Sequence, residues 1–254
     1  MKGGICGRSC QRKPWYDGYM AMIDFIVALT GRMTRFVSGR SDELPGIIPK
    51  TFLMGYLHAN PVIVEAGAHI GLDTEEMSRL WPKGVIHAFE PVPELYEKLE
   101  QRTGHLRNVV RYPLAVADRS GRSKMFVSSG ASDGSSSLLT PKEHLDEHPD
   151  VRFDQAIEVR TITLDDWARQ QGINHVDLLW LDMQGAELAA MMAAPHVLRT
   201  VKAIHLEVSL KEVYEGGPLY PEVRRWLEAQ GFRVEREALP WPDMGNVLFT
   251  RSGG

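Results

Sequence analysis

The chain has 254 residues, 43% hydrophobic and 24% charged, which is typical of a globular protein with one large domain, or one domain and an extension. A formal net charge of -4 argues against a nucleic-acid-binding protein that contacts phosphates through a broad basic surface. The only cysteines, Cys6 and Cys10, exclude a disulfide framework, and one C-x3-C pair is a poor zinc site, so a reducing cytoplasmic location is expected.

The first sixty residues are predicted to form a helical extension and a linker. Apolar residues recur at helical spacing over residues 19–37, and a proline- and glycine-containing segment, residues 38–49, follows them. The apolar run at 23–29 is too short to cross a bilayer and Asp24 interrupts it, so neither a membrane span nor a signal peptide is predicted. A surface for homodimer formation and a lid are the two interpretations of this extension.

From residue 61 the sequence predicts strands that alternate with helices. The predicted strands are 62–65, 85–89, 109–116, 124–127, 157–162, 176–181 and 203–208, and the predicted helices are 74–81, 93–100, 164–171, 186–198 and 221–230. The tetrapeptide TLDD at 163–166 predicts a capping box at the start of one of these helices. Such alternation indicates an α/β fold with right-handed crossovers and a doubly wound, mostly parallel sheet.

Two segments depart from this alternation. The last two predicted strands, 232–235 and 246–250, have no helix between them, which predicts an antiparallel hairpin at the edge of the sheet. Residues 130–150 form a long irregular insert, for which a functional lid or substrate loop and a solvated linker are the alternatives. The main domain is therefore predicted to cover 61–254, after an extension at 1–60.

The first predicted strand leads into EAGAHIG at 65–71, in which two glycines flank a turn before a helix. Ligands of doubly wound sheets bind at the carboxyl ends of strands, where Gly67 and Gly71 permit close backbone approach. The amino terminus of the next helix favours an anionic group. With Ala68 and His69 between the glycines, the spacing is not the G-x-G-x-x-G of dinucleotide-binding loops, so a pyrophosphate ligand is disfavoured.

A carboxylate follows the second predicted strand. Glu90 lies 19 residues beyond Gly71, where it can accept hydrogen bonds from both hydroxyls of an adenosine ribose, a capping or surface acid being the alternative. S-adenosylmethionine fits such a site, with Glu65 facing its ammonium group and the loop amides holding its carboxylate. A nicotinamide oxidoreductase is the alternative, against which the missing glycine pattern and the lack of a Y-x-x-x-K pair both count.

Seven short motifs occur in order between residues 60 and 250. They are EAGAHIG at 65–71, AFEP at 88–91, AVAD at 115–118, SSL at 136–138, TLDD at 163–166, DLLWLDMQGAE at 177–187 and NVLF at 246–249. Together they resemble the FkbM-type methyltransferases. The resemblance implies a class I methyltransferase fold with a Rossmann-like sheet, S-adenosylmethionine as cofactor, and O-methylation of a sugar, glycolipid or natural-product hydroxyl in a biosynthetic reaction.

The chain departs from the family pattern at several positions. Glu65 replaces the usual Asp, and His69 replaces the usual Asn. Trp180 and Gln184 stand where Lys and Glu are frequent, so a cation is lost at the first position and a negative charge at the second. These two changes leave a non-catalytic cofactor-binding subunit as a further alternative to an enzyme.

The cofactor site is predicted from these motifs. Its residues are Glu65, Gly67, Ala68, His69, Gly71, Glu90, Pro91, Ala115, Val116, Ser137 and Asp182. The resemblance implies that Ala115 and Val116 lie against the adenine, and that Ser137 reaches the amino-acid end of the cofactor or caps a loop. Asp182 and Glu207, at the ends of two core strands, are the candidate catalytic residues, as a base or as positioning groups for the acceptor hydroxyl. A divalent metal shared by these two carboxylates is the mechanistic alternative, and no metal is predicted.

Overall fold

A seven-stranded sheet forms the centre of the computed structural model, which describes residues 46–251. The predictions for Cys6, Cys10, the helix at 19–37 and its dimer surface lie outside these residues. Within residues 46–251, no helix has the length and apolar character needed to cross a membrane.

The described chain contains ten strands, seven α-helices and a 3-10 helix, Lys50–Gly55. The strands are β1 (Val62–Ala66), β2 (Val85–Phe89), β3 (Val109–Tyr112), β4 (Ala115–Val116), β5 (Gly121–Gly130), β6 (Val151–Ile162), β7 (Leu178–Leu181), β8 (Ala203–Ser209), β9 (Phe232–Ala238) and β10 (Met244–Arg251). The helices are α1 (Leu72–Leu80), α2 (Pro93–Thr103), α3 (His144–Glu147), α4 (Leu164–Gln171), α5 (Glu187–Met192), α6 (Pro195–Leu198) and α7 (Tyr220–Ala229).

The order of strands in the main sheet is β3-β2-β1-β7-β8-β10-β9. The first five are parallel to their neighbours, and β10 pairs antiparallel with both β8 and β9. The predicted class I, Rossmann-like α/β fold and its antiparallel edge are thereby confirmed. Successive strands are added on opposite sides of β1, so a crevice opens at the carboxyl ends of β1 and β7.

The central strands are buried on both faces, which explains their nearly continuous apolar sequences. Leu179 and Leu181 of β7 point into one hydrophobic cluster, whereas Leu178 and Trp180 point into the cluster on the other face. Burial of each leucine side chain stabilises the fold by about 1.5–3 kcal/mol. This packing fixes the register of β1 between β2 and β7, and therefore the position of every side chain at the strand ends.

A second sheet of three strands, in the order β4-β6-β5, was not predicted. The single strand predicted at 109–116 is wrong, because the chain forms two strands there. The first, β3, belongs to the main sheet, and the second, β4, pairs with β6 in the second sheet. The strands β5 and β6 are also longer than the predicted strands 124–127 and 157–162. Most residues of this β5–β6 ribbon are exposed or half-buried, so apolar alternation is weak along most of its length.

Two helix predictions have different outcomes. One half of the capping box at the start of α4 is present: the hydroxyl of Thr163 accepts a hydrogen bond from the backbone N–H of Asp166 at 3.0 Å, whereas the N–H of Thr163 donates to the hydroxyl of Ser120 and not to Asp166. The single helix predicted at 186–198 is wrong, since the chain forms α5 and α6 with a break before Pro195. Proline has no N–H to continue a helix and fits its first turn instead.

Candidate active site

A cavity of about 230 Å³ opens at the carboxyl ends of β1, β2 and β7. Nine predicted site residues line it: Glu65, Gly67, Ala68, His69, Glu90, Pro91, Ala115, Val116 and Asp182. Leu72, Asp73, Phe89, Leu95, Leu114, Met125, Asp133, Gly134, Ser136, Leu138, Met183 and Ala186 complete the lining. The structure therefore brings the ends of three strands, the start of α1 and part of the insert at 130–150 around one space.

Gly67 is placed where the ends of β1 and β7 meet. Its φ is +85°, and a Cβ atom built there would lie 1.8 Å from the carbonyl oxygen of Asp182. The backbone N–H of Asp182 donates to the carbonyl of Ala66 at 2.9 Å, which continues the strand pairing to this point. Only glycine combines this conformation with such an approach.

The loop after β1 uses several of its backbone amides within the protein, and the prediction that loop amides hold the cofactor carboxylate stays a prediction. Gly67 and Ala68 donate to the carbonyl of Phe89, at 3.1 and 2.9 Å, and His69 donates to Oε2 of Glu90 at 2.9 Å. These bonds tie the loop to the end of β2. Gly71 does not line the cavity, because it caps α1 with a φ of +82°.

Glu90 is 4% exposed and its two carboxyl oxygens accept backbone N–H groups. His69 and Val92 are the donors, at 2.9 and 2.8 Å, and the carboxyl group is thereby held in one orientation. Burial raises the pKa of Glu90 to about 7, although these two hydrogen bonds oppose the rise. A carboxylate oxygen has more than one lone pair, so each oxygen retains capacity to accept a ligand hydroxyl.

Glu65 lies at the end of β1 and is 1% exposed. Its Oε2 accepts a hydrogen bond from the hydroxyl of Thr74 at 2.5 Å. Burial raises its pKa to about 8, and the nearby carboxylate of Asp73 adds to the rise. The cavity thus places Glu65 and Glu90 where the ionised form of either carboxyl is unfavourable until a positive charge arrives.

One wall of the cavity is apolar. Ala115 and Val116 of β4 lie there with Leu114, Met125 and Leu138. Ala115 and Met125 also belong to a small hydrophobic cluster that packs the second sheet against the start of α2. An aromatic ring can be buried against such a wall without leaving polar groups unpaired.

Ser137 is fully buried and does not line the cavity, whereas Ser136 and Leu138 do. Its hydroxyl donates to the carbonyl of Gln184 at 2.7 Å and accepts the N–H of Leu139 at 3.0 Å. Of the two interpretations of Ser137, the structure shows the loop-capping contact and not a position against a ligand. The neighbours face the cavity because side chains alternate in this extended segment, which forms a bridge from Ser137 to Phe126.

Asp182 and Glu207 form a carboxyl pair joined by an amide. The side chain of Asp182 opens onto the cavity, and its Oδ1 lies 2.8 Å from Nε2 of Gln184. The same nitrogen lies 2.5 Å from Oε2 of Glu207, which is half-buried and outside the cavity lining. The surrounding protein raises the pKa of both carboxyls, and the charge of Asp182 adds to the rise at Glu207. The two carboxyls therefore titrate as a pair.

Lys50 is a charged residue near the site that sequence reasoning missed. Its ammonium group lies 2.7 Å from Asp73 and 2.8 Å from Glu76, and 4.7 Å from the ring centre of Trp180. The ammonium group of Lys50 therefore lies beside Trp180, which occupies the position where the family pattern has a lysine. Its position in the predicted linker gave no signal, because only the tertiary fold brings residue 50 to this end of the sheet.

Two tyrosines that follow β8 in the chain are buried. Tyr214 is 1% exposed and Tyr220 is 7% exposed, so neither ring presents a face to a ligand. The hydroxyl of Tyr214 is 2.9 Å from Oε1 of Gln184, which places it next to the carboxyl pair. The ring of His205 stacks on that of Trp180 with 3.6 Å between the ring centres, and burial lowers the pKa of His205 to about 3.

A divalent metal shared by Asp182 and Glu207 is the mechanistic alternative to a carboxyl pair that acts alone. Among residues 46–251, no three His, Cys, Asp or Glu side chains converge in a way that would hold a metal ion. Asp182 and Glu207 are thus two carboxyl groups bridged by an amide, without a third His, Cys, Asp or Glu side chain among the described residues placed to complete a metal site with them.

The ligand-free protein is expected to lose stability as the pH rises from 5 to 9. Burial raises the pKa of Glu65 to about 8 and of Glu90 and Glu187 to about 7, from 4.5, so the folded state binds more protons than the unfolded state in this window. The stabilisation is complete below the unfolded pKa and disappears as the pH rises through the folded values. Each such group changes the free energy of unfolding by about 1.4 kcal/mol per pH unit between its two pKa values.

Differential scanning calorimetry at pH 5, 6, 7, 8 and 9 measures this loss as a falling Tm. Glu65→Gln is expected to flatten the slope, because its amide does not titrate, whereas exposed Glu94→Gln is expected to leave it unchanged. A Tm that is constant or rises between pH 6 and 9 would contradict the expectation.

Sequence comparison relates the chain to one group of enzymes. The model of the methyltransferase FkbM domain family matches residues 65–234. The chain is 32% identical to the 2-O-methyltransferase NoeI of Sinorhizobium fredii, over 75% of this chain and 81% of NoeI. It is 29% identical to the methyltransferase sdnD of Sordaria araneosa, over 77% of this chain and 83% of sdnD.

Among solved structures, the methyltransferase FkbM from Methylobacillus flagellatus superposes with a TM-score of 0.48 at 14% identity. The superposition covers 78% of this chain and 46% of that one. The matched family domain begins at Glu65 in β1 and ends in β9, so it contains every residue that lines the cavity. This chain is a methyltransferase and belongs to the FkbM family.

Proposed function

We propose that the chain is an S-adenosylmethionine-dependent O-methyltransferase whose acceptor is a hydroxyl of a sugar, a glycolipid or a natural product. The observation that carries the proposal is the shared cavity, in which Asp182 opens onto the same space as the buried acids Glu65 and Glu90. A base for the acceptor hydroxyl and a site for a cationic cofactor thus lie together.

The residues present suit S-adenosylmethionine. The carboxyl group of Glu90 is held by two backbone donors and retains acceptor capacity for a ribose diol. The apolar wall with Ala115 and Val116 suits adenine. Glu65 and Asp182, whose pKa values are raised in the ligand-free protein, favour a ligand that brings positive charge, because that charge stabilises their ionised forms.

When bound, this cofactor supplies a methyl group on a sulfonium sulfur, which keeps the electron pair of the broken S–C bond as the acceptor oxygen forms the new C–O bond. Asp182 accepts the proton that the acceptor hydroxyl loses, and Nε2 of Gln184, which donates to both Asp182 and Glu207, orients the two carboxyls. The fold contributes orientation, since the ends of β1 and β7 hold Glu65 and Asp182 at fixed positions.

The two relatives support transfer to a hydroxyl to different degrees. NoeI is named a 2-O-methyltransferase, which supports transfer to oxygen, whereas sdnD is named only a methyltransferase. The division of the chain at residue 60, a homodimer formed through residues 1–60, and a cytoplasmic location stay predictions.

Isothermal titration calorimetry with S-adenosylhomocysteine tests the cofactor site. Glu90→Gln is expected to raise the Kd about 10- to 100-fold, because it replaces a charged acceptor with a neutral amide at a buried site. Exposed Glu94→Gln on α2 is the matched control and is expected to bind like the wild type. The absence of heat with the wild type, or tighter binding of NAD, would overturn the proposed cofactor.

Transfer of a labelled methyl group tests the acceptor class. The full chain is incubated with methyl-labelled S-adenosylmethionine and a panel of methyl glycosides, glycolipids and polyhydroxylated aglycones, and products are located by mass spectrometry. A new methyl ether on at least one acceptor is expected. Methyl groups found only on nitrogen, sulfur or carbon would contradict O-methylation.

A further inference from the structure

Gln184 combines an unusual backbone with a buried side chain, two residues after Asp182. Its φ is +55°, in the left-handed region that residues other than glycine rarely adopt, and it is 8% exposed. The hydroxyl of Ser137 donates to its carbonyl at 2.7 Å and helps to hold this conformation. Such strain persists where the surrounding structure enforces it, and it clusters at functional sites.

The conformation directs the amide of Gln184 between two acids. Its Nε2 has two hydrogens and two acceptors, Oδ1 of Asp182 at 2.8 Å and Oε2 of Glu207 at 2.5 Å. If the amide turned by 180°, its oxygen would face both carboxyls and neither would receive a hydrogen bond from the amide. The ionisation of the pair therefore depends on which way this amide points.

Tyr214 supplies the contact that distinguishes the two orientations. Its single hydroxyl hydrogen is shared between two acceptors, Oε1 of Gln184 at 2.9 Å and the carbonyl oxygen of Ser135 at 2.7 Å. Burial raises the pKa of Tyr214, with the nearby carboxyls adding to the rise, so the hydroxyl keeps its proton. The ring is 1% exposed and packs 5.4 Å from His144 of α3, so the hydroxyl has a fixed position.

We infer that Tyr214 is a positioning residue for methyl transfer, because its hydroxyl holds the Gln184 amide with both N–H bonds directed at Asp182 and Glu207. This inference rests on the proposed function. Without the hydroxyl the amide is free to turn, and the carboxyl pair loses its shared donor. The pair then retains its second proton to higher pH, and Asp182 is less available to accept a proton from the acceptor hydroxyl.

Other charged groups also face this pair. They are Asp73 from α1, His69 from the loop after β1, Glu187 from α5, and Glu65 and Glu90 at the ends of β1 and β2. Asp73 raises the pKa of Asp182 and His69 lowers it, whereas Glu187 raises the pKa of Glu207. All five are unchanged in a Tyr214→Phe variant, so a shift in the titration of the pair reports the loss of the hydroxyl.

The direct test is a ¹³C NMR titration of side-chain carboxyls in the full chain without cofactor. The resonances of Asp182 and Glu207 are assigned by their disappearance in Asp182→Asn and Glu207→Gln. In Tyr214→Phe both midpoints are expected at higher pH than in the wild type. Tyr220→Phe is the matched control, because it removes another buried tyrosine hydroxyl that donates to an acid, Glu237, outside the cavity.

Kinetics provide the second readout, with an acceptor found in the labelled-methyl panel. Tyr214→Phe is expected to lower kcat about tenfold on the acidic side of the pH profile and progressively less as the pH rises, with the KM for S-adenosylmethionine unchanged. A purely structural role would lower Tm in both tyrosine variants without moving the titration or the pH profile.

Unchanged carboxyl midpoints in a folded Tyr214→Phe would overturn the inference. Gln184→Asn provides an independent variant, because its shorter amide cannot bridge both acids, and its midpoints are expected to move in the same direction. If no acceptor in the panel is methylated, the proposed function fails, but the titration of the cofactor-free protein still decides the role of Tyr214.

Discussion

Asp182→Asn is expected to lower kcat for methyl transfer by about 100- to 10,000-fold, because asparagine cannot accept the proton of the acceptor hydroxyl. Asparagine preserves the shape of the side chain and an acceptor for Nε2 of Gln184, so the carboxyl pair is changed with little change in packing. The Kd for S-adenosylhomocysteine is expected to stay within about fivefold of the wild-type value, since one carboxyl is lost while Glu65 and Glu90 remain.

Single-turnover kinetics and calorimetry on the same preparation separate these two effects. Asp118→Asn is the matched control, because Asp118 is an exposed acid outside the cavity lining. If Asp182→Asn keeps more than about a tenth of the wild-type kcat, Asp182 is not the proton acceptor. If the loss appears as an increased Kd, Asp182 serves the cofactor and not the transfer step.

Gly67→Ala is expected to lower the free energy of unfolding by about 3 kcal/mol or more and to abolish binding of S-adenosylhomocysteine. Two costs combine at this position. The φ of +85° is strained for any residue with a Cβ, and the new atom would meet the carbonyl oxygen of Asp182 at 1.8 Å. The clash between the new Cβ and this oxygen is relieved only if the ends of β1 and β7 separate, which would displace both Glu65 and Asp182.

Gly172→Ala measures the cost of backbone strain without a steric clash. Gly172 has a φ of +67° at the end of α4, and no atom lies within 4 Å of the position that a Cβ would take, so only backbone strain of about 1 kcal/mol is expected. Urea unfolding gives both free energies, and equal losses in the two variants would show that the approach to Asp182 is not limiting. A folded Gly67→Ala that binds the cofactor normally would contradict the described geometry.

The main sheet was predictable because its central strands are buried on both faces. β1, β2 and β7 are short apolar runs that end in turns, and the predicted and observed bounds of the strands in this part of the sheet differ by no more than two residues. The positions of Glu65 and Glu90 follow from this regularity, since a residue at the end of a parallel strand lies at the crevice edge. The bounds of these strands, and the residues at their ends, can therefore be predicted from the local sequence.

Contacts between distant segments were not predictable in the same way. Lys50 forms an ion pair with Asp73, although its own segment has the composition of a linker. Gln184 joins Glu207 to Asp182 through a left-handed backbone conformation that cannot be predicted from a glutamine in the sequence. The β5–β6 ribbon is another example, because its largely exposed residues leave little apolar periodicity. Each of these features depends on tertiary geometry and not on local preference.

The β5–β6 ribbon has a consequence for how this enzyme can change. Its connecting segment supplies Asp133, Gly134, Ser136 and Leu138 as the roof of the cavity, whereas the floor comes from the ends of β1, β2 and β7. Floor and roof are thus encoded in separate stretches of the gene. Exchanging the tip of the ribbon between relatives would therefore replace residues of the roof of the cavity and leave the residues of its floor unaltered.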